Sequence, residues 1–404
     1  MSSTSQPKQH FLNISPRAWE HPSAQAAQAA LQRIPGIDML LQRLLGATSE
    51  SALRLISLSS AVRVSPRQFS HLHELLQEAC RILDAPSVPE LYVAQQPFFQ
   101  AGPIGVERPF IVLHASALAN LTEEETLCVI SQELAHCLSG HALYKTLLQI
   151  LLKLSSAAFQ LPLGGIALLP MMMALMEWNR KSALSADRAG LLVTQDPVVS
   201  YGLLMKMAGG PQATQMDVNE FFAQADEYDR ANDILTSTHK WLSLILASHP
   251  FPVIRLTELQ AWVNSGQYAR ILSQHYTTRS DDAEQGQVQD TVERVTERYK
   301  EQLDTSKDAM AGVVSELITN VDTFAHQARQ GLESWLDLTG LGLWKGAGPK
   351  RPEASQTDTH TAAGQTDAES DIFAMLVKLH ELQNQGVITA EEFEAQKAKL
   401  LSRI

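Results

Sequence analysis

The sequence predicts a mostly helical α+β protein with one small sheet and a separate helical hairpin at its C-terminus. Apolar residues recur at three- and four-residue steps over most of the chain, the period of helices packed on one face. Two short runs break that period, Leu91-Tyr92-Val93 and Phe110-Ile111-Val112-Leu113, and read as strands. A Gly-, Pro-, Ser- and Thr-rich stretch at 345–370 with almost no large apolar residue has linker composition and detaches the C-terminal residues beyond it. The 404 residues allow two to three domains at roughly 100 to 200 residues each.

Composition narrows the class. With 45% hydrophobic and 19% charged residues the chain is globular rather than disordered or collagen-like. The 32 Lys and Arg against 44 Asp and Glu leave a net charge of −12, and no local basic cluster reverses that sign. Such a field repels phosphate backbones, so nucleic acid is not an expected partner. Cys80, Cys128 and Cys137 are odd in number and show no CxxC spacing, and Met1 to Gln9 lacks the apolar core of a signal peptide. Both features point to a reducing compartment, the cytoplasm.

Taken in order, residues 22–58 carry helical spacing at Ala26, Ala30, Leu31 and Ile34 and again at Leu40, Leu41, Leu44 and Leu45, broken by Pro35-Gly36. A helix over 66–83 ends ahead of Asp84-Ala85-Pro86, and the two strands then bracket Pro97 to Glu107. Thr122 with Glu125 three residues later forms a capping box, which opens the next helix. Residues 154–176 carry no charge, the length of a membrane span. Pro162, Gly164, Gly165 and Pro170 should split that stretch. Two crossings need roughly 40 apolar residues, more than Lys145 to Glu177 supplies, so a helical hairpin packed on the domain or lying at a membrane surface is expected. Met171 to Met173 read as adaptable core filler. Helical patterns return at 213–250 and 281–340.

The chemistry concentrates in one helix. Gln132-Glu133-Leu134-Ala135-His136 puts positions 132 and 136 on one face with 133 beside them. With His first this would be HExxH, in which two imidazoles hold zinc, the glutamate polarises the bound water and a third ligand completes the site. Gln132 to His141, QELAHCLSGH, resembles the HELxHxxxGH helix of the HtpX and CAAX-prenyl-endopeptidase family of zinc metallopeptidases. Ser185 to Gly190 resembles the family's second motif, ExxADRxG, and Ser248-His249-Pro250 with Arg255 resembles its later His-Pro segment. The resemblance covers about residues 60–270.

This resemblance implies a zincin-like fold, with Glu133 standing where the general base would be and His136 where a metal ligand would be. Asp187, His249 and Arg255 fall among the residues that support them. It also puts the first ligand position at Gln132 and the third, a glutamate in the family, at Ala183. An amide oxygen is a donor zinc rarely takes, and a methyl group is none. Structural zinc binding is worth about 10–16 kcal/mol, so losing two ligands should remove useful affinity and leave Glu133 and His136 vestigial. His141 lies about 140° round an ideal helix from His136, and Glu177 about 240° from position 183, so neither is expected to substitute.

At the other end, Ile372 to Leu382, the Gly386 turn, and Thr389 with Glu392 three later form two short helices. They resemble the SHOCT module, a short C-terminal helical hairpin. Its size falls below the roughly 40 residues that fold well alone, which predicts burial of its apolar stripe against a partner or a second copy.

The chain thus divides into a helical lead-in at 1–60, an HtpX-like metallopeptidase domain at 61–275, a long helical segment at 276–344, a linker at 345–370 and the SHOCT-like hairpin at 371–404. The expected function is that of a metallopeptidase relative without activity, using no cofactor and acting as a binding or scaffold protein. Polypeptide would occupy the former active-site cleft, self or another protein would dock on 371–404, and a membrane surface would meet 154–176. The alternative is an active zinc metalloendopeptidase using substitute ligands such as His114 or His249.

Overall fold

The computed structural model describes residues 7–32, 41, 50–95, 102–158, 164–210, 212, 215–231 and 251–284. The chain divides into two units, Met1–Lys345 and Gly346–Ile404, and every described residue belongs to the first. Of the expected long helical segment at 276–344, with its pattern over 281–340, everything beyond residue 284 lies outside the described residues, as do the linker and the C-terminal hairpin.

Helix α1 spans Pro22–Gln32 and α2 Glu50–Ser60. Strand β1 is Val62–Arg63, and α3 runs Ser70–Ile82, later than the pattern over 66–83 suggests, because residues 65–68 close a turn and Phe69 takes a left-handed φ of 54° at the helix start. Strands β2 (Leu91–Ala94), β3 (Gly102–Ile104) and β4 (Phe110–His114) complete a sheet of order β1-β2-β4-β3. The pair β2 and β4 is parallel, in register Leu91 with Ile111 to Ala94 with His114, and the two outer strands are antiparallel. The sequence patterns reveal β2 and β4 but not β1 or β3, since strands of two and three residues carry no periodicity.

Both faces of the sheet are covered, which is why β2 and β4 read as continuous apolar runs rather than alternating ones. Tyr92, Ala94, Phe110 and Val112 point into a core with Leu31 of α1 and Leu53 of α2. Their neighbours Leu91, Val93, Ile111 and Leu113 point into a second core with Leu72, Leu75 and Leu76 of α3. The strand period of two thus divides one sheet between two cores.

After the short helix α4 (Ala115–Leu118), α5 (Glu123–Leu138) starts at the capping box: the Glu125 amide donates to Thr122 Oγ1 at 3.2 Å and the Thr122 amide to Glu125 Oε2 at 2.7 Å. Helices α6 (Ala142–Ala158) and α7 (Gly164–Thr194) pack on each other as the expected hairpin. Helix α7 continues through Gly165 and Pro170, because the bond and the ring clash that a proline costs in the second turn are outweighed by the packing of the rest of this 31-residue helix. Leu147, Leu151, Leu175 and Trp178 of this pair bury into the first core. Among the described residues, no helix is long and apolar enough to cross a membrane.

Helices α8 (Pro197–Gly209), α9 (Val218–Ala231), α10 (Pro252–Asn264), α11 (Gln267–Leu272) and α12 (Arg279–Glu284) complete the described α-helices. The N-terminal strap belongs to the same body. Phe11, Ile14 and Trp19 are buried in the second core, the Ser15 amide donates to the Thr277 carbonyl at 2.9 Å, and Ile14 bridges Thr278. Segments read from sequence as a lead-in and as the start of a later helix are therefore tied together.

Helices α5 and α7 pack closely against each other, and Gly190 permits it. A Cβ there would lie 2.9 Å from Cys128 Sγ and 3.1 Å from Gln132 Cγ. Only a hydrogen fits.

Candidate functional site

A cavity of about 360 Å³ opens where α5, α7, α8 and α10 meet the end of β4. On α5 the helical period brings Val129, Gln132, Glu133 and His136 to its wall, and on α7 it brings Asn179, Ala183 and Ala186. Positions 132, 133, 136 and 183, picked out in the sequence, thus share one cavity.

Gln132 is buried and its side chain is already engaged: Nε2 donates to Asp187 Oδ1 at 2.9 Å. Arg255 donates to the same carboxylate through Nη2 to Oδ1 at 2.6 Å and Nε to Oδ2 at 2.8 Å, a forked pair buried between α10 and α7. Burial alone would lower the Arg255 guanidinium, but the charge and hydrogen bonds of Asp187 outweigh it and hold it above its ordinary value. His249 lies outside the described residues.

His136 contacts His141, with the two Nδ1 atoms 3.0 Å apart, so one nitrogen carries the hydrogen and the other accepts it. The helical extrapolation for His141 fails for a specific reason. Helix α5 stops at Leu138, Gly140 adopts φ +69°, and the His141 amide donates back to the His136 carbonyl at 2.9 Å. The reversed chain carries His141 behind His136, with its ring edge-on to Trp178 at 5.4 Å and away from the cavity wall. Glu177 behaves as the helical angle suggests, turning to Arg180 at 2.8 Å and Lys181 at 3.7 Å.

Burial lowers both imidazoles, that of His141 to about 3. Both are neutral in the folded state, whereas an unfolded chain takes up protons near pH 6.5, so their stability contribution is full above that pH and is lost as pH falls toward 3. We expect His141→Asn to make the loss of unfolding free energy between pH 7 and pH 5 smaller by about 2 kcal/mol. Denaturant titrations at the two pH values measure it, and parallel pH profiles would refute it.

Glu133 is half-buried, and desolvation raises its carboxyl, with Lys145 and Arg255 opposing. Its Oε2 is buried without a hydrogen bond and sits 3.6 Å from where a Cβ on Gly102 would be. Lys145, on the first turn of α6, also borders the cavity, and desolvation lowers its ammonium while Glu133 opposes that. Sequence reasoning passed over Lys145. Its signal was a cation, one of two with Lys153, in an apolar helical stretch four residues after His141. His114 reaches the cavity rim, where its Nδ1 pairs with Ser116 Oγ at 2.9 Å. Lys206 closes another side, held to Glu125 at 2.6 Å.

The donor set at 132, 136 and 183 is an amide whose nitrogen is committed to Asp187, an imidazole and a methyl group. Zinc takes three or four nitrogen, sulfur or carboxylate ligands in near-tetrahedral array, and these three positions do not supply them. Among the described residues, no group of three His, Cys, Asp or Glu side chains is placed to hold a metal ion.

Comparison with known proteins gives three findings. The family described as Peptidase family M48 matches residues 66–263, and the Short C-terminal domain, SHOCT, matches residues 374–401. The Arabidopsis thaliana protein "Plastoglobule-localized metallopeptidase 48, chloroplastic" is 35% identical over 271 residues, covering 65% of this chain and 77% of that relative. No solved structure matches.

Proposed function

The chain belongs to peptidase family M48, and from that premise we propose that it is a member without catalytic metal, a pseudopeptidase whose cleft binds polypeptide instead of cutting it. The observation that carries this reading is the hydrogen bond from Gln132 to Asp187, which commits the residue at the first ligand position to a structural bond, together with the methyl group of Ala183 at the third. Glu133 then has no metal-bound water to polarise. The cleft keeps its walls because Asp187 and Arg255 fasten α7 to α10 whether or not a metal is bound.

Residues 371–404 supply a docking module for a second copy or another protein, in keeping with the SHOCT match. The protein works in the cytoplasm and meets a membrane surface through 154–176, a stretch without charged residues. A relative whose name places it at plastoglobules is compatible with that contact.

A second reading is an active zinc metalloendopeptidase. It is favoured by the relative's name and by the place of His114 at the rim of the same cavity. Elemental analysis of protein purified without chelators, run beside hydrolysis of an unstructured protein substrate, separates the two. The expected result is well under one zinc per chain and no hydrolysis. Stoichiometric zinc, or hydrolysis that disappears in Glu133→Gln, would overturn the pseudopeptidase reading.

A further inference from the structure

The cavity beside Glu133 contains a cation that no described carboxylate bonds directly, Glu133 acting on it only from beyond ion-pair distance. Of the charged groups on its wall, Arg255 is bonded to Asp187 and Lys206 to Glu125, each at 2.6 Å. Glu133 is the single carboxylate on the wall among the described residues, and its Oε2 is buried beside Gly102. The Lys145 ammonium forms no hydrogen bond and no ion pair within 4 Å to a described residue, although it borders the cavity. An ammonium partly removed from water without a partner is costly, and a carboxylate is the group that offsets that cost most directly.

Beside these charged groups and the polar side chains of His114, Asn120, Gln132, His136 and Asn179, much of the wall is apolar. Leu113, Leu118, Leu121, Val129, Leu203 and Met207 face the same space. A volume of about 360 Å³, at about 30 Å³ for each water-sized heavy atom, holds roughly a dozen such atoms. Small-ligand sites are built this way, from an apolar pocket and one or two placed polar groups.

We propose that this cavity is a binding site for a monocarboxylate with an apolar body, whose carboxylate is held by Lys145 and whose chain lies against Leu113, Leu118, Val129 and Leu203. The inference rests on the metal-free reading of the cleft. Two sources present this chemistry, a medium-chain fatty acid and the C-terminal residues of an apolar peptide.

The test is calorimetric titration of the full-length protein, with zinc per chain measured on the same sample. Decanoate is compared with decanol, and N-acetyl-trileucine free acid with its C-terminal amide. At least one acid should bind ten-fold or more tighter than its neutral partner. That preference should vanish in Lys145→Met and persist in Lys145→Arg, and which acid binds identifies the source. Equal affinity for acid and neutral partner in the wild-type protein overturns the inference, and it does so even if Lys145→Met fails to fold. A preference for acid that survives in folded Lys145→Met overturns it too. If the sample is zinc-free and binds no probe, the inference fails while the pseudopeptidase reading stands. If the sample carries one zinc per chain, that reading fails first.

Discussion

Arg255→Met should cost about 3–5 kcal/mol of folding stability, because it strands the Asp187 carboxylate inside the protein with only the Gln132 amide as a described partner. At roughly 2–4 °C per kcal/mol for a domain of this class, the melting temperature should fall by about 10 °C. The size comes from burial, since neither partner can recruit water when the other is removed, and exposed pairs contribute only about 0–1 kcal/mol. Denaturant unfolding of the single variant measures it. Adding Asp187→Asn to Arg255→Met should recover much of the loss, since breaking one side of a buried pair costs more than replacing both. A single-variant cost under about 1 kcal/mol would mean that water reaches the pair.

The other large effect is a gain. The double change Gln132→His with Ala183→Glu should convert the protein from one holding little zinc to one holding a full equivalent. Asp187 is already in place for it. The amide nitrogen of Gln132 lies 2.9 Å from Asp187 Oδ1, and an imidazole at 132 could donate one ring nitrogen to that carboxylate while offering the other to metal, the carboxylate–histidine–zinc arrangement. Ala183 lines the same cavity as His136, so a carboxylate there would face the same space. With zinc at a thousand times its dissociation constant, binding should add about 4 kcal/mol to stability, read as a chelator-sensitive rise in melting temperature. A folded double variant without zinc would mean that the two helices no longer hold these positions at ligand distance.

The two predictions draw on different kinds of information. Residues 122–138 show what a linear pattern can carry. A capping box is a contact between residues three apart, and a face made by 129, 132, 133 and 136 is set by the helical period, so Thr122, Glu125 and that face were all legible in order along the chain. The strands β2 and β4 were legible because strands covered on both faces are apolar throughout. The identities at 132 and 183, an amide and a methyl group, are matters of sequence alone, and they set the limits on metal chemistry.

What the sequence could not carry is whatever depends on where the chain turns back or on which distant groups meet. His141 sits beside His136 because α5 ends at Leu138 and Gly140 reverses the path, whereas an angle counted round an unbroken helix puts it elsewhere. Lys145 looked like one charge in an apolar helix until folding brought it to the wall that Glu133 lines. The partners of Asp187, 55 and 68 residues away in the chain, are likewise fixed by packing. The sequence by itself therefore determined the family, the main helices and the two residues that depart from a zinc site, because each is a local pattern or a residue identity. Only the tertiary structure decided that Gln132 is spent on Asp187 and that Lys145 borders a largely apolar cavity without a direct hydrogen bond or ion pair to a described residue, because such contacts depend on distances in space that sequence separation does not encode.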